Sequence, residues 1–396
     1  MTATLVPPGP IPATEFAERR RRAVAVAADA GLDGILAWSS RTWPWAVRYL
    51  ADYQSGFQQQ GNGPTFGDKG FCALVLPVEG DPVLMMDQRV GPGDVAVDDA
   101  RTAAVITDAV AGALRDLGLE RARLGIAGEG ALLDRQRREV EDQLGVKLDL
   151  RPADALIEPL MRVKSPLELD WTRHASSVGA AWMTAMMEAI EPGRTEADVV
   201  GGGLHVLLEA GGFPMDVVAG SGNPCKPQAP RGIPSFDSRR ELETGDLIRI
   251  DGFGPVWGYG CDLARSACVG ADPTPAQRTV LEDAVMFVYT LLDAMRPGAS
   301  LGALNDLGVA FLTERGHPPH GYFEGFWPAF GHQLGLSTEG PFITEGETAL
   351  LEPGMVMSVE IVMGTPATGG ISHEECVIVT EEGVENITAG CPTHWW

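Results

Sequence analysis

Acidic side chains inside apolar, strand-like segments place the tightest limit on how this chain of 396 residues can fold. Asp251 directly follows the strand-like run LIRI, and Glu360 ends the segment MVMSVE. A carboxylate in such a segment needs a partner or a metal ion, because burial of an isolated charge is too costly. Five side chains with metal-binding groups lie in or beside segments of this kind: Asp251, Asp262, His332, Glu360 and Glu374.

Four carboxylates and one imidazole form a ligand set of mostly oxygen donors. This set suits Mn, Fe, Co or Zn and fits poorly with a structural zinc held by thiolates. A carboxylate can bridge two ions about 3.5–4 Å apart, and such a pair can hold a hydroxide for attack on a carbonyl. Any one of these acidic residues taken alone would more often be a solvated surface charge. Together they predict a site for two divalent metal ions.

The charge balance limits the classes of partner. The chain has 54 acidic and 30 basic residues, a net charge of −24, which argues against binding to nucleic acid or to anionic membranes. We expect neither a spanning helix nor a secretory signal, because the chain has no run of about eighteen apolar residues and no apolar segment behind its basic N-terminal cluster. The six cysteines have no CxxC spacing, which indicates reduced thiols in a cytoplasmic protein.

Two patterns of segments predict two domains with a boundary near residue 160. In residues 1–160, helical segments alternate with strands such as GILAWSS and FCALVLP, which is typical of an α/β domain with a mixed sheet. In residues 161–396, helices at about 167–190 and 275–296 flank strand-rich segments. That second pattern predicts an α+β domain.

The second half of the chain resembles the pita-bread metallopeptidases, the superfamily of aminopeptidase P, Xaa-Pro dipeptidase and creatinase. The resemblance is carried by the segments RVKSPLELDWTRHA, IEPGRTEADV, VVAGSGN, GDLIRIDGFG, GHQLGL, LEPGMVMSVE and VIVTEEGVENIT. It implies a creatinase-like N-terminal domain in residues 1–160 and a pita-bread catalytic domain in residues 161–396. It also implies a metal-dependent hydrolase with a pair of divalent ions such as manganese. The five residues named above match the five metal ligands of the family.

The positions around the implied metal site depart from the pattern of the peptidases. Arg231 stands where the peptidases have one accessory histidine, and Glu339, seven residues after His332, stands where they have another. Ser372 replaces an arginine that aminopeptidase P has two residues before its last glutamate ligand. An arginine suits a carboxylate, and a glutamate can act as a base or hold a cation. We therefore predict catalytic roles for Arg231, Glu339 and Glu360, with drift of loop residues as the alternative for the first two.

Two kinds of enzyme stay open at this point. The first hydrolyses an amide-like C–N bond in a small molecule or short peptide. The second is a non-peptidase acting on a small zwitterion, either a hydrolase similar to creatinase and ectoine hydrolase or a lyase similar to those that cleave dimethylsulfoniopropionate, with Glu339 as the base. The lyases have an extra Asp two residues before the first ligand, where this chain has Arg249. A non-catalytic binding module is disfavoured because all five ligands are present.

An aromatic segment in the first domain has two interpretations. Its members are Trp38, Trp43, Trp45, Tyr49 and Tyr53. They could form an aromatic box for a cationic substrate, although a domain core or a dimer interface is the commoner use of such a cluster. In the superfamily, the matching region often reaches the active site of the partner subunit. The resemblance thus implies a homodimer with residues 43–53 near the neighbouring active site.

Overall fold

The protein is described by a computed structural model at residues 6–58, 68–91, 93–227, 234–319, 321 and 329–396. The chain divides into two compact units. One is Gly9–Met161, and the other is Arg162–Trp396 together with residues 6–8. Within the described ranges, no helix combines the length and the apolar character needed to cross a bilayer.

The N-terminal unit is built around a mixed sheet. Its helices are α1 (Ala13–Asp29), α2 (Trp45–Ala51), α3 (Ile106–Asp116), α4 (Asp134–Leu144) and the single turn α5 (Asp154–Ile157). Its strands are β1 (Gly34–Ser40), β2 (Phe71–Pro77), β3 (Val83–Met86), β4 (Asp99–Thr102), β5 (Arg123–Ala127) and β6 (Asp149–Pro152). The described strands lie in the order β4-β3-β2-β1-β5-β6, with β1 antiparallel to β2 and parallel to β5. This unit is therefore an α/β layer structure of the kind that alternating elements predict.

Most of the aromatic segment is core of the N-terminal unit. Trp38, Trp45, Tyr49 and Tyr53 are each at most 4% exposed, and the hydroxyl of Tyr53 donates a hydrogen bond to Asp87 Oδ1 at 2.7 Å. Core packing therefore accounts for these four side chains. Trp43 differs, because 43% of its surface is exposed.

The C-terminal unit combines long helices with antiparallel strands. Its helices are α6 (Pro166–Glu188), α7 (Glu196–Glu209), α8 (Pro275–Ala294) and α9 (Leu301–Glu314). Its strands are β7 (Asp216–Gly222), β8 (Leu247–Val256), β9 (Tyr259–Cys268), β10 (Gly331–Leu334), β11 (Thr338–Phe342), β12 (Val356–Thr365), β13 (Gly369–Val379) and β14 (Val384–Asn386). The described strands form two antiparallel arrays in the orders β7-β8-β9 and β11-β10-β12-β13-β14.

Local sequence signals explain where the helices of the C-terminal unit begin. Helix α6 starts after Ser165, whose hydroxyl accepts the backbone N–H of Glu168, while the Glu168 side chain accepts the N–H of Ser165. Thr195 and Thr274 cap α7 and α8 with the same reciprocal arrangement. Such a capping box satisfies backbone donors that a helix start would leave unpaired, and proline at the first position suits the helical φ of α6 and α8.

Candidate metal centre

The apolar core of the C-terminal unit fixes the direction in which β12 points its side chains. Met357, Val359 and Ile361 belong to a buried cluster that also contains residues of α8, such as Phe287. Side chains alternate between the two faces of a strand, so Glu360 faces away from this core. A slip by one residue would expose the apolar set, and burial therefore holds Glu360 on the opposite face.

Strand β13 repeats this alternation and brings a second glutamate beside the first. Ile371 and Val377 belong to the same core cluster, which leaves Glu374 on the other face. Glu360 and Glu374 are direct cross-strand partners in the antiparallel ladder. Like charges placed opposite each other are destabilising. This pair is therefore stabilised by a positive charge or by a proton on one carboxyl group.

Strands β8 and β9 place two aspartates on one face of their hairpin. The turn residues Trp257 and Gly258 both have positive φ, as a two-residue hairpin turn requires, and this turn sets the register. Asp262 lies opposite Phe253, and Phe253 is two residues from Asp251 on the same strand. The carboxylates of Asp251 and Asp262 are therefore diagonal neighbours on the same face.

His332 on β10 joins the carboxylates through its Nε2 atom. Nε2 lies 3.5 Å from Asp262 Oδ2 and 3.8 Å from Glu360 Oε1. Nδ1 lies 2.9 Å from the carbonyl oxygen of Gln333, which can only accept, so Nδ1 carries the proton. This hydrogen bond fixes the tautomer that leaves Nε2 available to a metal ion. Asp262, His332 and Glu374 each offer a ligand atom within 4.8 Å of the others.

The surroundings of one oxygen of Glu374 agree with a divalent ion in this cluster. The residue is 1% exposed, and its Oε1 accepts a hydrogen bond from the Ser358 hydroxyl at 2.5 Å. Its Oε2 is also buried and has no hydrogen-bond partner in the part of the chain that the structure describes. An unpaired buried carboxylate oxygen is costly, and a cation would remove that cost.

The pKa values of the cluster shift in the directions expected for a site that binds a cation. Burial, and then the charges of Asp251 and Glu360, raise the pKa of Asp262 well above its usual range. Burial and the neighbouring carboxylates also raise the pKa of Glu374 well above its usual range. Burial lowers the pKa of His332, which keeps the imidazole neutral, the form that binds metals.

Arg249 is a buried cation at this cluster. It is 5% exposed, and its Nη2 lies 2.5 Å from Asp251 Oδ2. Its Nε donates to Ser372 Oγ at 2.9 Å, and its Nη1 donates to the carbonyl oxygen of Pro227 at 2.8 Å. In the sequence, Arg249 stands out only because it replaces an aspartate of the lyases. Strand periodicity was the available signal for its role, since Arg249 lies two residues before Asp251 and shares its face.

Glu339 has a cationic partner that the sequence did not predict. Lys164 Nζ lies 2.7 Å from Glu339 Oε2, and these side chains are 2% and 12% exposed. Glu339 Oε1 accepts the backbone N–H of Leu336 at 2.9 Å. The catalytic role of Glu339 stays a prediction, now with Lys164 beside it. Arg231 lies outside the described residues.

Asp216 is a further carboxylate on the face that carries Asp251 and Asp262, and the sequence did not predict it. It lies opposite Phe253 in the ladder of β7 and β8, and so shares the face of Asp251 and Asp262. Desolvation, and then the charge of Asp251, raise the pKa of Asp216. Its position two strands from Asp262 depends on the pairing of β7, which no local pattern specifies.

Comparison with known proteins gives a family for this arrangement. The model of metallopeptidase family M24 matches residues 170–381, more than half of the chain. The chain is similar to the probable dipeptidase PepE of Mycobacterium tuberculosis, with 29% identity over 390 residues and 95% of each chain covered. It is also similar to the Xaa-Pro dipeptidase of Pyrococcus furiosus, with 28% identity over 270 residues, 67% of this chain and 73% of that protein.

Solved structures of similar proteins agree on the fold. The dipeptidase PepE from Mycobacterium ulcerans superposes with a TM-score of 0.73 and 25% identity, covering 96% of this chain and 97% of that one. The prolidase from Pyrococcus horikoshii OT3 gives a TM-score of 0.75 at 20% identity, with 94% and 98% covered. The prediction of an α/β N-terminal domain and an α+β pita-bread C-terminal domain is confirmed. The chain belongs to metallopeptidase family M24 and is a metal-dependent hydrolase that uses divalent metal ions.

Proposed function

We propose that this protein hydrolyses an amide-like C–N bond in a short peptide or small molecule at a pair of divalent metal ions. The ions would be Mn, Fe, Co or Zn, and their ligands would be Asp251, Asp262, His332, Glu360 and Glu374. The observation that carries this proposal is the buried Oε2 of Glu374, which lacks a hydrogen-bond partner among the described residues and lies in a cluster with Asp262 and His332.

The ligand set divides naturally between two ions. Asp262, His332 and Glu374 would share one ion, because their ligand atoms lie within 4.8 Å of one another. Asp251 and Glu360 would supply ligands to the second ion, and the pair together would activate a water molecule. All five ligands belong to the unit Arg162–Trp396, which supports the proposal that residues 161–396 form the catalytic domain.

The side chains around this site have separate tasks in hydrolysis. When bound, divalent ions polarise a carbonyl oxygen and lower the pKa of a water molecule. Glu374 is 1% exposed and is held by the Ser358 hydroxyl, whereas the side chain of Glu360 is 13% exposed. Glu360 is therefore the better group to accept a proton from water and return it to the leaving nitrogen. The neutral His332 would bind a metal ion and would not donate a proton to the substrate.

Two observations support a short peptide as the substrate and hydrolysis as the reaction. Similar proteins carry the names Xaa-Pro dipeptidase and dipeptidase PepE. The contacts of Glu339 also favour hydrolysis over elimination, because both oxygens of the carboxylate that the lyase reaction would use already accept hydrogen bonds, from Lys164 and from the backbone N–H of Leu336. The changed accessory positions, Arg231 and Glu339, still favour a substrate other than an ordinary Xaa-Pro dipeptide.

The cellular setting is also part of the proposal. All six cysteines are buried and unpaired, which supports a reducing, cytoplasmic environment. We also propose manganese as the resident metal and a homodimer, which the resemblance to the superfamily implies.

Metal analysis of the variant Asp262→Ala tests the proposal. We expect about two ions per wild-type chain, loss of at least one ion in the variant and loss of nearly all activity. Chelation should abolish wild-type activity, and Mn, Fe, Co or Zn should restore it. Reaction in ¹⁸O-labelled water should place the label in the product, because hydrolysis adds solvent oxygen and elimination does not. Equal metal content in the wild type and the variant would refute the proposal.

A further inference from the structure

We propose that Arg249 positions Asp251 for metal binding by holding its carboxylate while itself anchored to Ser372 and to the backbone of Pro227. The inference rests on the proposed function, because it takes Asp251 as a metal ligand. Strand alternation alone places Arg249 beside Asp251, whereas no local pattern indicates its contacts with Ser372 and Pro227.

The contacts of Arg249 leave its guanidinium one orientation. The group is buried and donates to Asp251 Oδ2, to Ser372 Oγ and to the carbonyl oxygen of Pro227. A planar guanidinium with three acceptors in different directions cannot rotate without losing one of them. The carboxylate of Asp251 is therefore held through Oδ2, and Oδ1 is the oxygen that we assign to a metal ion.

The position of Ser372 gives β13 access to the space that Arg249 occupies. Ser372 lies two residues before Glu374, so both side chains share the ligand-bearing face of β13. Arg249 Nε lies 2.9 Å from Ser372 Oγ. A longer side chain at position 372 would therefore enter the space that Arg249 occupies. The small serine and the arginine of β8 are therefore complementary, and we expect an arginine at position 372 to reach the same space once Arg249 is replaced.

Arg249 is a positioning residue, because its contacts are to Asp251 and to neighbouring protein groups. Partners that orient a metal ligand typically change metal affinity or activity by about 10–100-fold when they are replaced. Weaker metal binding would also make the loss of activity depend on metal concentration. Raising the metal concentration should then restore turnover in an Arg249 variant, which a general loss of folding would not allow.

The test is titration of Mn²⁺ into the metal-free protein by calorimetry. For Arg249→Ser we expect binding weakened by about 10–100-fold. Arg249→Lys should recover part of the loss, because lysine keeps the charge but lacks the planar fork. The double variant Arg249→Ser with Ser372→Arg should recover most of it. Activity of Arg249→Ser should rise towards the wild-type value as Mn²⁺ is added.

Two controls distinguish a positioning role of Arg249 from a general effect of losing a buried arginine. Arg240→Ser removes an arginine from Asp246 in the same unit, a 2.5 Å pair outside the proposed ligand set, and should leave Mn²⁺ affinity unchanged. Asp262→Ala tests the metal site itself. If Asp262→Ala loses metal while Arg249→Ser binds Mn²⁺ as tightly as the wild type, this inference alone is wrong. If Asp262→Ala keeps its metal, the proposed function is wrong. Should Arg249→Ser fail to fold, Arg249→Lys decides, and unchanged Mn²⁺ affinity in that variant overturns the inference.

Discussion

Two adjacent glutamates on β13 show how one residue type serves two purposes. Glu374 and Glu375 are 1% and 0% exposed and point to opposite faces of the strand. Glu375 lies 2.7 Å from Arg265 Nη2, and its other oxygen accepts the hydroxyl of Thr388 at 2.5 Å. Glu374 Oε2 has no such partner among the described residues.

The pKa values of the two carboxyl groups move in opposite directions for this reason. Burial raises both, but the contacts of Glu375 with His373 and Arg265 reverse its shift and lower its pKa below the usual range. Burial and three carboxylates raise the pKa of Glu374. Burial alone therefore does not identify a functional carboxylate. The feature that distinguishes one is burial without a compensating protein charge.

The largest effect should come from Glu374→Gln. The amide keeps the shape but removes the charge that we assign to metal binding, so at least one ion and nearly all activity should be lost. The metal-free variant should unfold at a temperature equal to or above that of the metal-free wild type, because an uncompensated charge has gone. Elemental analysis and thermal unfolding check this. Full metal content in the variant would contradict it.

Glu375→Gln should lower the stability of the protein and leave metal binding intact, the reverse of the outcome for Glu374→Gln. It removes the charge opposite the fully buried Arg265, and breaking a buried ion pair typically costs about 3–5 kcal/mol. We expect a large loss of unfolding free energy in denaturant titrations, with metal still bound below the unfolding transition. A variant as stable as the wild type would show that Arg265 is satisfied by its carbonyl partners alone.

Turnover of Xaa-Pro dipeptides should be weak, because Glu339 replaces an accessory histidine. Loss of one group that stabilises an oxyanion typically costs about 10²–10³ in turnover. Glu339→His should therefore raise the cleavage of Ala-Pro or Gly-Pro while reducing the native reaction. Steady-state assays of the wild type and this variant with these dipeptides measure the effect. Wild-type rates of about 1–10³ per second, typical of enzymes, would refute the prediction.

Much of the fold and of the ligand set could be predicted because both depend on local patterns. The alternation of Met357, Val359 and Ile361 predicts a strand. A carboxylate inside that strand, Glu360, predicts that the opposite face of the strand carries the metal site. Capping residues such as Ser165 predict where helices begin. These signals lie within a few residues of the feature that they specify.

The partners of the site could not be predicted because they are distant in sequence. Lys164 is 175 residues from Glu339, and Arg249 is 123 residues from Ser372. Neither spacing leaves a periodic signal. The aromatic segment was ambiguous for another reason, since composition does not distinguish a core such as that around Trp38 from a ligand box.

The smallest effect should appear in the pH dependence of the metal-free protein. The pKa values of Asp262 and Glu374 are raised in the folded state, so the folded protein binds more protons than the unfolded chain above about pH 4. The contribution of these groups to stability is therefore present at low pH and is lost as pH rises through their folded pKa values. As pH rises above about 4, the unfolding temperature should fall more steeply for the metal-free wild type than for Glu374→Gln. Parallel curves would mean that Glu374 does not titrate in this way.

The most direct measurement of the proposed metal centre is anomalous diffraction from crystals grown with Mn²⁺. We predict two peaks, one of them within coordination distance of Glu374 Oε2 and His332 Nε2, and the other beside Asp251 and Glu360. A well-ordered site in which Glu374 Oε2 contacts no metal ion would contradict this assignment of the ligands.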